Sequence, residues 1–270
     1  MAPWPWRHRT KTGGSSISTF KLWFLPRRKF FFSLIALTGL LAFGTMTLAA
    51  VLTTAGRSPV LKGRTIVVDP GHGGIDAGTD YGRYYEKDIN LTVSRVLRAQ
   101  LTREGARVIT TRDRDTDLSH LYPEGSTRQR RDLAARVQIA RTHNAEVLIS
   151  LHCNWSWKTY HRGPIVYYQV GREDSRLLAE AVQQELNKVQ EGIRKIPRPA
   201  EFYILRESPM TAIIIEMGFL SNPTDRRLLN QPEYLKKLAR AIIEGLETYI
   251  QVRELYRGLY GPVPMNYLPR

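Results

Sequence analysis

Short apolar runs alternate with amphipathic segments along most of the chain. Runs rich in Val, Ile and Leu predict strands at residues 66–69, 107–111, 145–151, 165–170, 202–205 and 211–215. Apolar residues at helical spacing predict long helices at 86–105, 127–141, 175–190 and 232–250, with a short helix starting at Thr224. Strands that alternate with helices predict an α/β fold with a largely parallel central sheet.

The N-terminal part has a different pattern. Residues 30–52 are 23 consecutive residues without a charge, enough helix to cross a hydrocarbon core about 30 Å thick. Seven Lys or Arg and no acid precede them in residues 1–29, so the positive-inside rule places that arm in the cytoplasm and the rest of the chain outside. A cleaved signal peptide is the alternative, because residues 48–50 (LAA) resemble a cleavage site, although signal apolar regions usually have 7 to 15 residues.

These patterns divide the chain into five parts. We predict a basic cytoplasmic arm at 1–29, a transmembrane signal anchor at 30–53, a tether at 54–60, a folded domain at 61–250 and a C-terminal tail at 251–270. The formal net charge is +15, of which the arm carries +7, leaving +8 for the remainder. No zinc finger, RNA-binding motif or helix-turn-helix accompanies this charge, so nucleic-acid binding is not predicted. The single cysteine, Cys153, excludes an internal disulfide.

Three residues that can carry chemistry stand where predicted strands end, and a fourth follows one loop later. His72 follows the strand at 66–69, His152 ends the strand at 145–151 and Glu216 ends the strand at 211–215, while Glu86 opens the first helix one loop after His72. The carboxyl ends of such strands collect at one edge of the sheet. Two imidazoles and a carboxylate are the ligands of an open zinc site, and a second carboxylate serves a zinc hydrolase as general base. The spacing leaves open which acid has which role.

Several neighbouring residues have simpler structural explanations. Cys153 should point away from His152 into the core, because successive strand residues face opposite sides of a sheet. The helix at 127–141 carries four arginines, which we interpret as a solvated face: Arg128, Arg130, Arg131 and Arg136. Arg112 and Asn154 stand at strand ends on the same rim, where either a substrate contact or a purely structural role is open.

Four ordered motifs resemble a known family. DPGHGG with His72, EKDINL with Glu86, SLHCN with His152 and IEMGFLSN with Glu216 are similar to those of the zinc-dependent N-acetylmuramoyl-L-alanine amidases. The resemblance runs from about residue 62 to 250. It implies a three-layer fold with a mixed sheet of about six strands flanked by helices. It also implies one Zn²⁺ bound by His72, Glu86 and His152, with Glu216 as the catalytic glutamate. The implied substrate is peptidoglycan, cleaved between muramic acid and the L-alanine of the stem peptide.

Within this family, the single anchor, the short tether and the stretch at 115–133 resemble the spore-cortex amidases. That resemblance implies removal of stem peptides from cortex muramic acid, so that a polysaccharide deacetylase, a functional partner, can complete the δ-lactam used in germination. The absence of a recognisable wall-binding module favours glycan next to the membrane. A vegetative cell-separation amidase is the first alternative. The others are a zinc peptidase or carboxypeptidase, a non-catalytic wall-binding or regulatory protein, and a membrane-tethered nucleic-acid binder.

Overall fold

The computed structural model describes residues 60–123 and 125–261. The predicted arm at 1–29, the predicted anchor at 30–53 and nearly all of the tether lie outside these residues. No helix in the described ranges is both long and apolar enough to cross a membrane. The strands are β1 (Thr65–Pro70), β2 (Asp80–Tyr81), β3 (Tyr84–Tyr85), β4 (Arg107–Thr110), β5 (Val147–Asn154), β6 (Ile165–Gln169), β7 (Arg198–Ala200) and β8 (Thr211–Phe219). The helices are α1 (Glu86–Arg103), α2 (Arg128–Thr142), α3 (Glu173–Leu186), α4 (Tyr203–Glu207), α5 (Pro223–Leu228) and α6 (Pro232–Tyr260).

Six of the strands form one mixed sheet in the order β4-β1-β5-β8-β6-β7. All neighbouring pairs are parallel except β6 and β8, which run antiparallel. β2 and β3 form a separate two-stranded hairpin just before α1. The mixed, largely parallel sheet of about six strands is therefore confirmed.

Helices cover both faces of this sheet. One core cluster joins alternate residues of β1, β5 and β8 to the apolar stripes of α1, α3 and α6. A smaller cluster on the opposite face joins the intervening strand residues to α2 and α4. The pattern fits strands buried on both sides, which read as nearly continuous apolar runs in the sequence. The three-layer arrangement is confirmed.

Two predicted elements were wrong, and both lie in one short region. Residues 203–207 form the helix α4 where a strand was predicted, while residues 198–200, predicted to lie in a loop, form the edge strand β7. A short apolar run such as FYIL does not distinguish helix from strand by its pattern. The prolines at 197 and 199 concealed β7, because proline is tolerated only at sheet edges. In addition, the helix predicted at 232–250 continues to Tyr260 as α6.

Candidate metal centre

The sheet brings three of the four candidate residues to one edge. His72 lies in the loop after β1, and His152 pairs directly with Glu216 in the register of β5 and β8. The side chains of His152 and Glu216 point to the face covered by α2 and α4. Their sequence neighbours, Cys153 and Met217, belong to the core cluster on the other face, and successive strand residues face opposite sides of a sheet. Cys153 is 3% exposed, as predicted for a packed apolar residue. Glu86 reaches the same edge from the first turn of α1.

Two buried arginines hold the loop that carries His72. The Arg112 guanidinium donates to the carbonyls of Pro70 and Gly71 at 2.9 Å each. Arg136 donates to the carbonyls of Pro70 and His72 at 2.8 Å each. His72 has a φ of 60°, a left-handed conformation that is uncommon for residues other than glycine. The arginines therefore fix the backbone where its conformation is least favourable.

The four arginines of the helix at 127–141 were interpreted as a solvated face, and for Arg136 this interpretation was wrong. Its side chain is 1% exposed and lies 2.7 Å from carboxylate oxygens of both Asp69 and Asp132. Asp69 further accepts hydrogen bonds from Ser150 (2.6 Å) and Thr111 (2.5 Å). Although burial raises the pKa of Asp69, Arg136 and the two hydroxyls outweigh it and keep the pKa below its ordinary value. A carboxylate at the end of a buried strand required a buried cation, and α2 supplies it.

Three potential ligand atoms converge beside this loop. One atom from each of His72, Glu86 and His152 lies within 4.8 Å of the other two, and the three residues could hold a metal ion. Glu86 Oε1 lies 3.1 Å from His72 Nε2 and 2.9 Å from His152 Nδ1. The backbone N–H of Cys153 donates to Glu86 Oε1 at 3.0 Å, and that of Thr79 donates to Oε2 at 2.8 Å. The carboxylate is therefore fixed by both its oxygens.

The charges of this cluster stabilise one another. Burial raises the pKa of Glu86, but hydrogen bonds and charge interactions with His152 and His72 are stronger and place it far below the ordinary value. For His72, burial lowers the pKa, yet Glu86 and Asp76 raise it to about 9. Asp76 Oδ2 lies 2.9 Å from His72 Nδ1. A carboxylate on the far ring nitrogen of a ligand histidine orients the ring and increases its basicity.

Glu216 has a contrasting environment. Its Oε2 is buried and has no hydrogen-bond partner among the described residues. Burial raises the pKa of Glu216 to about 7, with Glu86 adding to the effect and the histidines opposing it. Together with His72 and His152 it lines a cavity of about 290 Å³, whose other wall is formed by Gln129, Leu133, Phe202, Tyr203, Ile204 and Ile214. A carboxyl group with a pKa near neutrality is suited to exchanging protons with a substrate.

Two glycines allow this close packing. A Cβ at Gly71 would lie 2.2 Å from Cε1 of the His152 ring. A Cβ at Gly78 would lie 2.7 Å from both Glu86 Oε2 and His72 Cδ2, and Gly78 also has a φ of 68°. No side chain fits at either position while the candidate ligands stay in place. The sequence contained a signal for the first position, since Gly71 belongs to the Pro-Gly-His break after β1.

Of the two open cases on the rim, Arg112 has a structural role. It is 4% exposed, and its guanidinium is occupied by backbone carbonyls. Asn154 is half-buried and accepts a hydrogen bond from the N–H of Trp155. Sequence reasoning missed Asp69, Arg136 and Asn90, whose buried amide donates to the Gly71 carbonyl at 3.2 Å and to Glu86 Oε1 at 3.4 Å. Arg136 could have been found, because it lies on the inward stripe of α2 beside Leu133 and Val137.

Comparison with known proteins decides the family. The profile of the family described as N-acetylmuramoyl-L-alanine amidase (Amidase_3) matches residues 66–248. The chain belongs to this family. It is 37% identical over 194 residues to the germination-specific N-acetylmuramoyl-L-alanine amidase of Bacillus subtilis, covering 70% of this chain and 81% of that protein.

Solved structures of other family members agree with this assignment. The CwlD amidase from Clostridioides difficile, solved in complex with the GerS lipoprotein, is 33% identical with a TM-score of 0.66, covering 70% of this chain and 99% of that one. The amidase AmiC2 of Nostoc punctiforme is 31% identical with a TM-score of 0.60, covering 73% and 99%. The chain is thus an N-acetylmuramoyl-L-alanine amidase, a hydrolase that acts on peptidoglycan outside the cytoplasm.

Proposed function

We propose that the amidase is zinc-dependent, with His72, Glu86 and His152 as the metal ligands and Glu216 as the general base. The observation that carries the proposal is the convergence of two imidazoles and one ionised carboxylate, beside a second carboxylate without a hydrogen-bond partner in the described structure. This donor set fits zinc, which in catalytic sites takes three protein ligands and leaves one position open. The ligand donors are also supported by neighbouring groups: Asp76 for His72, and two backbone N–H groups for Glu86.

The reaction is hydrolysis of the amide between the lactyl group of muramic acid and L-alanine. Zinc bound at this site would supply Lewis acidity, polarising the scissile carbonyl and making water more acidic. Glu216 takes a proton from the attacking water, whose oxygen forms the new bond to the carbonyl carbon. Glu216 then passes that proton to the alanine nitrogen as the C–N bond breaks, leaving a carboxylic acid and a free amine. Its pKa of about 7 allows both transfers.

The test of this activity is to incubate residues 57–270 with zinc and purified peptidoglycan, and to identify the new ends by mass spectrometry. Intact stem peptides with a free N-terminal alanine are expected. Cleavage of free peptides with no release from glycan strands would instead establish the zinc peptidase alternative.

We further propose that the substrate in the cell is spore-cortex peptidoglycan. The proposal is supported by 37% identity to a germination-specific amidase and by similarity to the CwlD structure. Removal of stem peptides there would prepare muramic acid for the polysaccharide deacetylase that completes the δ-lactam. Deleting the gene should abolish muramic δ-lactam in cortex muropeptides while vegetative growth stays normal. Chained cells with an unchanged cortex would support the vegetative cell-separation role.

A membrane anchor at 30–53 is the proposed means of localisation. It is supported by the uncharged span and by the basic residues before it. A tag on the N-terminus should remain in the membrane fraction and resist protease added outside. A mature protein that begins near residue 50 would show that the span is a cleaved signal.

A further inference from the structure

A second cavity adjoins the metal centre on the side of β6. It has a volume of about 140 Å³ and is lined by His161, Ile165, Tyr167, Lys195, Arg198 and Phe219. Ile165 pairs with Glu216 across β6 and β8. The cavity therefore begins one strand away from the proposed base.

The strand register places the cavity on the same face of the sheet as Glu216. Tyr167 pairs with Ile214, and Arg198 pairs with Tyr167. Directly paired residues share a face, and so do Ile214 and Glu216, which are two positions apart. Two strand spacings of about 4.8 Å separate β7 from β8, so the backbone of Arg198 lies about 10 Å from the strand that carries Glu216.

The cavity is cationic. Lys195 and Arg198 line it, no acidic residue does, and neither cation forms an ion pair with an acid in the described part of the chain. Asn187 fixes the backbone of Lys195, because its side chain accepts from the Lys195 N–H and donates to the Lys195 carbonyl, both at 2.9 Å. The aromatic rings of Tyr167 and Phe219 complete the walls.

Tyr167 connects the cavity to the metal centre. Its ring packs edge-on against Phe202, which lines the cavity of the metal centre, with centroids 5.5 Å apart. Burial raises the pKa of its hydroxyl, Glu216 adds to the effect and Arg198 opposes it. Tyr167 thus lies on β6, the strand between β8 with the proposed base and β7 with Arg198.

We propose that Lys195 and Arg198 bind a carboxylate of the stem peptide, so that the enzyme selects stem peptides bearing a free acid. The inference rests on the proposed amidase function. The substrate has an uncharged N-acetylated sugar on one side of the scissile amide and an acidic peptide on the other, and only the peptide matches a pair of free cations. Arg198 stands opposite Ile214, two residues along β8 from Glu216, so the backbones of Arg198 and Glu216 are about 12 Å apart. An extended chain advances about 3.3 to 3.6 Å per residue, so this distance corresponds to about the third stem residue.

The test compares two forms of one substrate. Soluble uncross-linked glycan strands with free stem-peptide carboxylates are used directly or after amidation with carbodiimide and ammonium chloride. For the unmodified enzyme we expect KM to be about tenfold lower on the free acid, the effect of one charge-assisted hydrogen bond at a partly exposed site. Arg198→Gln and Lys195→Gln should each raise KM on the free acid by about tenfold, leave kcat unchanged and have little effect on the amidated strands.

Arg194→Gln is the matched control, since Arg194 is exposed in the same loop and does not line the cavity. It should behave like the unmodified enzyme on both substrates. Equal KM values for the two substrates with the unmodified enzyme would overturn the inference while leaving the amidase function intact. Loss of kcat on both substrates in Arg198→Gln and Lys195→Gln would also overturn it, by showing a structural role. Failure of the unmodified enzyme to release stem peptides from either substrate would overturn the proposed function itself.

Discussion

Replacing Glu216 with glutamine separates the proposed base from the proposed metal ligands. Glutamine has nearly the same shape, so the cavity and the three ligands stay in place. We expect the variant to keep one zinc ion per chain, while the rate of amide cleavage falls by about 10²- to 10⁴-fold, the usual contribution of a general base. The two results together distinguish a base from a ligand, because removal of a ligand would lower both zinc content and activity.

The same substitution should change the stability of the metal-free protein in a pH-dependent way. Burial raises the pKa of Glu216 from 4.5 to about 7, a difference worth about 3 kcal/mol at 1.36 kcal/mol per pKa unit. The folded state binds this proton more tightly than the unfolded state, because its pKa is the higher one. The resulting contribution to the free energy of unfolding is fully present below pH 4.5 and is lost as the pH rises through 7. Glutamine stays neutral, so the variant should gain up to about 3 kcal/mol over the unmodified protein at pH 8 and nothing near pH 4.5.

Urea denaturation with a chelator present, from pH 4.5 to 8.5, measures this difference. Glu201→Gln provides the control, because it removes the same charge from an exposed position near α4 and should show no comparable pH dependence. A free-energy difference for Glu216→Gln that stays constant across this range would refute the reasoning, since it would show that the carboxylate is not destabilised by its surroundings.

Three further changes test other parts of the site. His152→Ala should lose both zinc and activity, measured by metal content and by stem-peptide release; retained zinc would contradict its role as a ligand. Gly71→Ala should weaken zinc binding by about 10- to 100-fold in a competition assay with a chelator, because the added Cβ displaces the His152 ring. Arg136→Met should lower the free energy of unfolding by about 3 to 5 kcal/mol, because Asp69 is left buried and unpaired. Arg141→Met, on the exposed end of the same helix, should have little effect, and equal effects of the two substitutions would contradict the buried ion pair.

The sequence predicted those features that depend on local pattern. The strands β1, β5 and β8 are nearly continuous apolar runs, and a change to polar or Pro-Gly residues marks where each one ends. The positions of His72, His152 and Glu216 therefore followed from the pattern. β7 could not be predicted, because three residues with proline on both sides of Arg198 have no periodicity. The burial of Arg136 depends on Asp69, which is 67 positions away in the sequence. A contact between residues so far apart in the sequence leaves no repeating pattern of apolar and polar positions. Only the position of Arg136 on the inward stripe of α2 could have suggested it.

The pattern also could not assign roles to the two acids, and their environments support one assignment independently of any relative. Glu86 receives two backbone N–H groups and lies beside two imidazoles, so its charged form is stabilised and the group stays ionised at neutral pH. Glu216 faces the same cavity with a buried oxygen that lacks a donor, so its charged form is destabilised and its pKa moves toward 7. A carboxylate that binds a metal must be deprotonated, whereas a proton carrier must change its charge near the working pH. Two carboxylates with oppositely shifted pKa values in one cavity are therefore suited to different tasks, Glu86 to holding the ion and Glu216 to moving the proton.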